Sequence, residues 1–165
     1  MTAQIITQAE LKEQLHYNPD TGIFTRLIFR CNRHRAGTKV GSFSNKGYLR
    51  IELNNKGYQA HRLAWLYMTG EMPELHVDHI NQVKDDNRWC NLRLATNSQN
   101  KMNSKIRPDN STGFKGVYKA GSKFMAQARV NGVLHHLGTF NTSEIASMAY
   151  KKFAEKIHGE FYCAN

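Results

Sequence analysis

Long apolar runs are missing from this 165-residue chain. No stretch reaches the roughly 18 consecutive apolar residues that a membrane-spanning helix needs. The opening MTAQIITQAELKEQ has no basic segment leading into an apolar one, so no secretory signal is expected and the protein is expected to act inside the cell. Cysteine is scarce. Cys31, Cys90 and Cys163 are odd in number, far apart and without a CxxC pair, which excludes a disulfide framework and a thiolate zinc site. Internal repeats and low-complexity segments are absent. Acidic residues are few, with 13 Asp plus Glu against 23 Lys plus Arg, a formal charge of +10.

What is present follows from that imbalance. From Arg26 to Arg62 nine basic residues face a single acid, Glu52, and residues 105–165 carry nine basic against four acidic residues. Basic stripes of this kind point to a polyanionic partner. No basic amphipathic helix carries the charge, so a membrane surface is not the expected partner. Forty per cent apolar residues suffice for a modest core, in one ordinary domain or two small ones.

A first short helix is expected over Gln8–Leu15, followed by a turn at Asn18-Pro19-Asp20-Thr21-Gly22 and a strand. Tyr48, Ile51 and Leu53 lie in a strand-like stretch that turns at Asn54-Asn55-Lys56-Gly57. A helix is expected from Ala60, with Leu63, Leu66 and Tyr67, or Ala64 and Met68, on its inner side, stopped by Gly70 and Pro73. HVDHI reads as a strand, NQVKDDNRWCN as a polar loop and LRLAT as a second short strand. Thr96 and Gln99 form a capping box that starts a helix at about Asn97. The polar stretch SKIRPDNSTG, residues 104–113, is the linker candidate. Beyond it, three strands are expected over residues 116–119, 124–130 and 133–139, with Asn131-Gly132 as a hairpin turn. A last helix repeats Ile145, Ala149, Phe153 and Ile157 every four residues and ends at Gly159.

The segment HVDHIN places Asp78 and His79 at the end of a strand, and Asn100 falls on the following helix, in a ββα unit. Hydrolysis of a phosphodiester needs an activated water, stabilised phosphoryl oxygens and help for the departing 3′ oxygen. A histidine that is mostly neutral at pH 7 suits the first task, and a hard divalent cation suits the others. Mg²⁺ accepts one or two protein oxygens and keeps several waters, a need that the Asp78 carboxylate and the Asn100 amide would meet. By spacing alone, an Asp-His pair with scattered asparagines arises often by chance, and the readings of His79 as a structural histidine and Asn100 as an exposed helix residue stand ahead of catalysis.

The run AHRLAWLYMTGEMPELHVDHINQVKDDNRWCNLRLATNSQNKMN resembles the HNH homing endonucleases of bacteriophages and introns, over about residues 17–104 when the upstream basic strands are included. The resemblance implies a metal-dependent DNA endonuclease with His79 as general base and Asp78 as metal ligand. Asn91 then holds the loop and orients the base, and Asn100 is the second metal ligand. The third motif position is Asn rather than His, as in the HNN branch, which favours Mg²⁺ or Mn²⁺ over Zn²⁺. Asn97 and Asn103 are rivals of Asn100. Arg33, Arg35 and Arg50 on the upstream strands are candidate DNA contacts. His61 and Arg62, at the start of the helix before the motif, are candidates too, with a core-supporting role as the other reading of His61. His76 is taken as incidental, and Asp86 and Asn87 as loop-fixing residues.

Residues 113–161 resemble the DNA-binding domain of plant ethylene-response factors, through KGV, KFMAQARV, HLGTF and the closing helix. That resemblance implies a three-stranded sheet in the major groove, with Lys115, Tyr118, Lys119, Lys123, Gln127, Arg129 and His136 as contact candidates. The first strand has fewer arginines than the plant domains, and His136 stands where they carry an aromatic, so base preference does not transfer. The expected fold class is α+β. It comprises an HNH domain over 1–104 (basic strands 17–60, ββα core 75–104), a linker over 105–113, and a three-stranded antiparallel sheet packed on one helix over 114–165. The expected partner is double-stranded DNA, cut by a monomer that nicks or a dimer that breaks both strands. A DNA-binding regulator with an inactive nuclease domain and an RNA-directed nuclease are the competing readings.

Overall fold

A computed structural model describes residues 6–28 and 35–161. The chain divides into two compact units, residues 1–94 and 95–165. Arg33, Cys31 and Cys163 lie outside the described residues. Cys90 is a free, exposed thiol.

The first unit opens with α1 (Gln8–Gln14), capped by Thr7 and Glu10 in a reciprocal box. Leu15 ends that helix and starts β1 (Leu15–Asn18), which pairs antiparallel with β2 (Ile23–Arg26). The connecting turn is held by the Asn18 side chain, whose Oδ1 accepts from the Asp20 and Thr21 amides at 3.0 Å each. Next comes a three-stranded antiparallel sheet of β3 (Ser42–Phe43), β4 (Leu49–Leu53) and β5 (Lys56–Gln59), in that order. The β4–β5 turn has φ of 51° at Asn54 and 60° at Asn55, left-handed values that asparagine tolerates best among side-chain-bearing residues. Along β4, Ile51 and Leu53 are buried while Arg50 and Glu52 are exposed, the two-residue alternation of a sheet with one wet face.

Helix α2 (Ala60–Thr69) buries Ala60, His61, Leu63, Ala64 and Leu66 and stops at Gly70, whose φ of 90° supplies the left-handed cap. Its buried side joins Leu11, Leu15, Tyr17, Phe24, Ile51, Leu53, Val77 and Leu92 in one core. Of the two faces open from sequence, Leu63, Ala64 and Leu66 turn in together and Met68 is exposed. Strand β6 (His76–His79) pairs with β7 (Leu92–Ala95), and a 3₁₀ turn at Trp89–Asn91 leads into β7.

The second unit begins with α3 (Asn97–Met102), which carries the Thr96/Gln99 capping box. Strands β8 (Val117–Ala120), β9 (Lys123–Val130) and β10 (Val133–Phe140) form an antiparallel sheet in the order β10-β9-β8. Asn131 and Gly132 close the β9–β10 hairpin, both at positive φ. Helix α4 (Ser143–His158) packs on this sheet. Its inner stripe is Ala146, Tyr150 and Ala154, while Ile145 and Ile157 are about half exposed. The helix is thus turned by one position from the Ile145–Ile157 stripe that spacing suggests. Small residues explain the turn. Two alanines let the helix approach closely, and the Tyr150 ring lies where a Cβ on Gly116 would sit. Residues 104–113, expected as a linker, fall inside this unit. There Asn110 Oδ1 accepts from the Thr112 and Gly113 amides at 3.0 and 2.8 Å.

Candidate active site

Strand β6 buries three successive residues, Val77, Asp78 and His79, so both of its faces are covered. Burying a carboxylate next to an imidazole is costly unless each finds a partner. Asp78 Oδ2 is 3.0 Å from Arg93 Nε, in an ion pair whose side chains are 7% and 11% exposed. Arg93, in the NLR stretch, was not among the residues singled out from sequence.

His79 Nε2 lies 3.1 Å from Asn87 Oδ1. The Asn87 amide is oriented by its own Nδ2, which donates to the Asp85 carbonyl at 3.2 Å, so its oxygen is the atom offered to the ring. An oxygen acceptor demands a donor, which makes Nε2 the protonated nitrogen and Nδ1 the basic one. Burial lowers the His79 pKa and outweighs the Asn87 hydrogen bond and the nearby Asp78, Asp86 and Asp85 charges, all of which raise it. The imidazole is therefore neutral at pH 7, the form that accepts a proton.

Asn91 holds the loop. Its Oδ1 accepts from the Asn81 amide at 3.0 Å, and its Nδ2 donates to Asn81 Oδ1 at 3.0 Å and to the Asp86 carbonyl at 2.7 Å. Asp86 adds a fork to Arg88, at 2.7 and 2.6 Å, and accepts from Asn81 Nδ2 at 2.6 Å. The Arg88 bonds, with help from Asn81, bring its carboxyl down to about 2. Asn91 thus bonds across the loop, and the imidazole itself is bonded by Asn87.

The N-terminal hairpin braces Asn87 from behind. Tyr17 Oη donates to the Asn87 carbonyl at 2.7 Å, and the Trp89 amide donates to the Pro19 carbonyl at 2.9 Å. Gly22, at φ 71°, sits where any Cβ would overlap the Asn87–Arg88 peptide. Asn87 is 1% exposed. No local motif signals Tyr17, which lies seventy residues from its partner.

His61 is 5% exposed, and its ring meets His79 edge to face at 4.9 Å, with Tyr48 at 5.3 Å from His61 and 6.0 Å from His79. That position packs His61 against His79 and Tyr48 on the buried side of α2. Burial, then the His79 and Arg62 charges, push its pKa down to about 3, and Nδ1 has no hydrogen-bond partner among the described residues. Arg62 donates to the Pro73 carbonyl at 2.7 Å and the Leu75 carbonyl at 3.3 Å, fastening α2 to the approach of β6. Arg35, Arg50 and His76 are exposed.

Among the described residues no three His, Cys, Asp or Glu side chains gather as a metal cage. The oxygen donor at the site is the carboxylate of Asp78, a chemistry that fits a hard cation keeping most of its waters. Asn100 lies on α3, in the second unit, with Asn97 at its start and Asn103 at its end. In the second unit, strand register puts Tyr118, Gln127 and His136 on the sheet face away from α4, and alternation adds Lys123 and Arg129. Lys119 pairs with Phe124, on the helix side. Lys115 donates to the Met102 carbonyl at 2.8 Å and to the Ser104 carbonyl, so its ammonium ties down the end of α3.

Residues 58–102, which span α2, the whole loop and β7, match the family described as HNH endonuclease. Two viral relatives extend the match. The chain is 36% identical over 110 residues to an uncharacterized HNH endonuclease of Acanthamoeba polyphaga mimivirus, an alignment covering 65% of this chain and 57% of that protein. It is 28% identical over 109 residues to Protein 3.8 of Escherichia phage T7, covering 64% and 89%. The chain thus spans little more than half of the mimivirus protein. A solved structure of the HNH homing endonuclease I-HmuI aligns over 88% of this chain and 85% of its own, at 20% identity and a TM-score of 0.41, too low to transfer geometry.

Proposed function

We propose that this protein is a metal-dependent DNA endonuclease of the HNH type that hydrolyses phosphodiester bonds, with His79 as its general base. The observation that carries the reading is the neutral, buried His79, whose Nε2–H is held by Asn87 inside the segment that matches the family. Water attacks phosphorus, its proton passes to His79 Nδ1, and the P–O3′ bond breaks. The Asn87 oxygen then faces an imidazolium, a charge-assisted contact stronger than the one it makes with the neutral ring. Asn91 keeps the loop from drifting during this step.

Asp78 is the proposed metal ligand, with Arg93 fixing its carboxylate, and Asn100 joins it on the strength of the motif alone. A bound Mg²⁺ or Mn²⁺ supplies charge stabilisation at the phosphoryl and departing oxygens. The net charge of +10 and the exposed Arg35 and Arg50 support duplex DNA as substrate. On the same grounds, Tyr118, Lys123, Gln127, Arg129 and His136 form a second DNA-facing surface in the ethylene-response-factor-like sheet, where Lys and Arg neutralise phosphate without reading sequence. One site per chain cuts one strand, so a monomer nicks.

The test is supercoiled plasmid incubated with the protein in Mg²⁺ and in EDTA. Open-circle product that needs Mg²⁺ supports the nicking reading. Linear product from the outset indicates paired sites. Plasmid that is bound but stays supercoiled under Mg²⁺ and Mn²⁺, and cognate DNA left uncut, would overturn the nuclease in favour of a DNA-binding regulator.

A further inference from the structure

Tyr48 stands at the entry to β4, where the chain turns tightly out of β3. The Ser44 amide donates to the Tyr48 carbonyl at 2.8 Å, and the Tyr48 amide donates to Ser44 Oγ at 3.2 Å. Alternation along β4 sends Leu49, Ile51 and Leu53 to the core and leaves Tyr48 on the side of the exposed Arg50 and Glu52. Its ring nevertheless turns onto two buried imidazoles, 5.3 Å from His61 and 6.0 Å from His79, which themselves meet edge to face at 4.9 Å. The ring is backed from its own side. Lys84 Nζ lies 5.1 Å over it and donates to the Lys46 carbonyl at 2.8 Å, which ties the loop between β6 and β7 to the β3–β4 turn. An ammonium held over a tyrosine face attracts the ring electrostatically.

We propose that Tyr48 is a positioning residue for the general base: its ring, backed by Lys84, sets the tilt of the His79 imidazole. The assignment rests on the nuclease reading, with His79 as the base. The last torsion of a histidine is broad and has weak preferences of its own, so packing on the ring faces decides where Nδ1 points. Asn87 holds the Nε2 edge, while Tyr48 and His61 flank the ring. Aromatic pairs of this kind resist rotation because tilted and edge-to-face geometries are favoured over others. Proton transfer is sensitive to such placement, since an error of about 1 Å costs about 100-fold in rate.

The test is plasmid nicking in Mg²⁺ over a range of DNA concentrations. Tyr48→Leu is expected to lower the maximal rate about 10- to 100-fold and to leave the half-saturating DNA concentration within about twofold. Tyr48→Phe, which restores the ring without the hydroxyl, is expected to recover most of that loss. Lys84→Met removes only an exposed ammonium and is expected to lower the maximal rate about two- to fivefold. In the Tyr48→Leu background it is expected to add nothing, because Lys84 acts through the ring. Nitrogen-detected NMR of the His79 ring, in EDTA and without DNA, supplies a readout apart from activity: one sharp set of signals in wild type and Tyr48→Phe, broadened or doubled signals in Tyr48→Leu. A Tyr48→Leu rate equal to wild type, equal losses in the Leu and Phe variants, or unchanged His79 signals would overturn the assignment. So would a Lys84→Met effect confined to DNA affinity, which would make Lys84 a phosphate contact. Wild type that cuts while Tyr48→Leu cuts as fast fails this assignment alone. Wild type that leaves all DNA uncut fails the nuclease reading, whatever the His79 signals do.

Discussion

Asn87 is the residue on which the account of the base depends, and two substitutions there push the chemistry in opposite directions. Its oxygen sits 3.1 Å from His79 Nε2 and receives a charged donor once the ring takes up a proton. A hydrogen bond to a charged group contributes about 1.5–3 kcal/mol, so Asn87→Ala is expected to slow cutting about 10- to 100-fold. The pH profile separates this role from mere loss of structure. His79 works deprotonated, so the rate falls as pH drops through its pKa, already held low by burial. The Asn87 bond is one of the influences raising that pKa. Asn87→Ala should therefore carry the acid limb to lower pH, and Asn87→Asp, by adding a carboxylate against the ring, should carry it to higher pH. Plasmid nicking measured from acid to alkaline buffer at fixed Mg²⁺ reads both limbs. Shifts of the same sign in the two variants, or an Asn87→Ala rate equal to wild type, would refute Asn87 as the residue that sets the state of the base.

Other expectations follow from the same contacts. Tyr17→Phe removes one hydroxyl and strands the buried Asn87 carbonyl, so chemical denaturation should show a loss of about 1–3 kcal/mol, accompanied by slower cutting without a change in DNA affinity. His61 is neutral when folded and has a pKa of about 3 against 6.5 for an ordinary histidine. The unfolded chain binds its proton first, so stability from this group is complete above pH 6.5 and declines as pH falls toward 3, by about 2 kcal/mol at pH 5. His61→Leu should flatten that part of the stability profile. Arg93→Met leaves the buried Asp78 without its ion-pair partner and should cost about 3–5 kcal/mol, seen as a large drop in melting temperature that Asp78→Asn in the same chain partly reverses.

Local signals were the legible part of this fold. Asn54-Asn55 and Asn131-Gly132 turn the chain because their own backbones take positive φ, Gly70 ends α2 in the same way, and Thr96 with Gln99 caps α3 within four residues. The α4 stripe was harder to read, because spacing alone favours the larger Ile145 and Ile157. The buried line instead needs small residues to let the helix close on Gly116. At the site, the Asp78-His79 pair was visible as a break in strand chemistry. Which asparagine meets the ring was not, since Asn87 and Asn91 lie on one loop and only its closure tells the imidazole partner from the loop clamp. Arg93, Tyr17 and the Tyr48–His79 contact are products of long-range packing, so they become visible once β7, β1 and the β3–β5 sheet are assembled around the loop.

The central claim is that His79 removes a proton from the attacking water. Its most direct test is single-turnover plasmid cutting by wild type and His79→Ala in Mg²⁺, without and with added imidazole. The expected result is a loss of about 10²–10⁴-fold in His79→Ala, with part of the rate restored by imidazole and DNA binding unchanged. Cutting by His79→Ala at the wild-type rate would contradict the account.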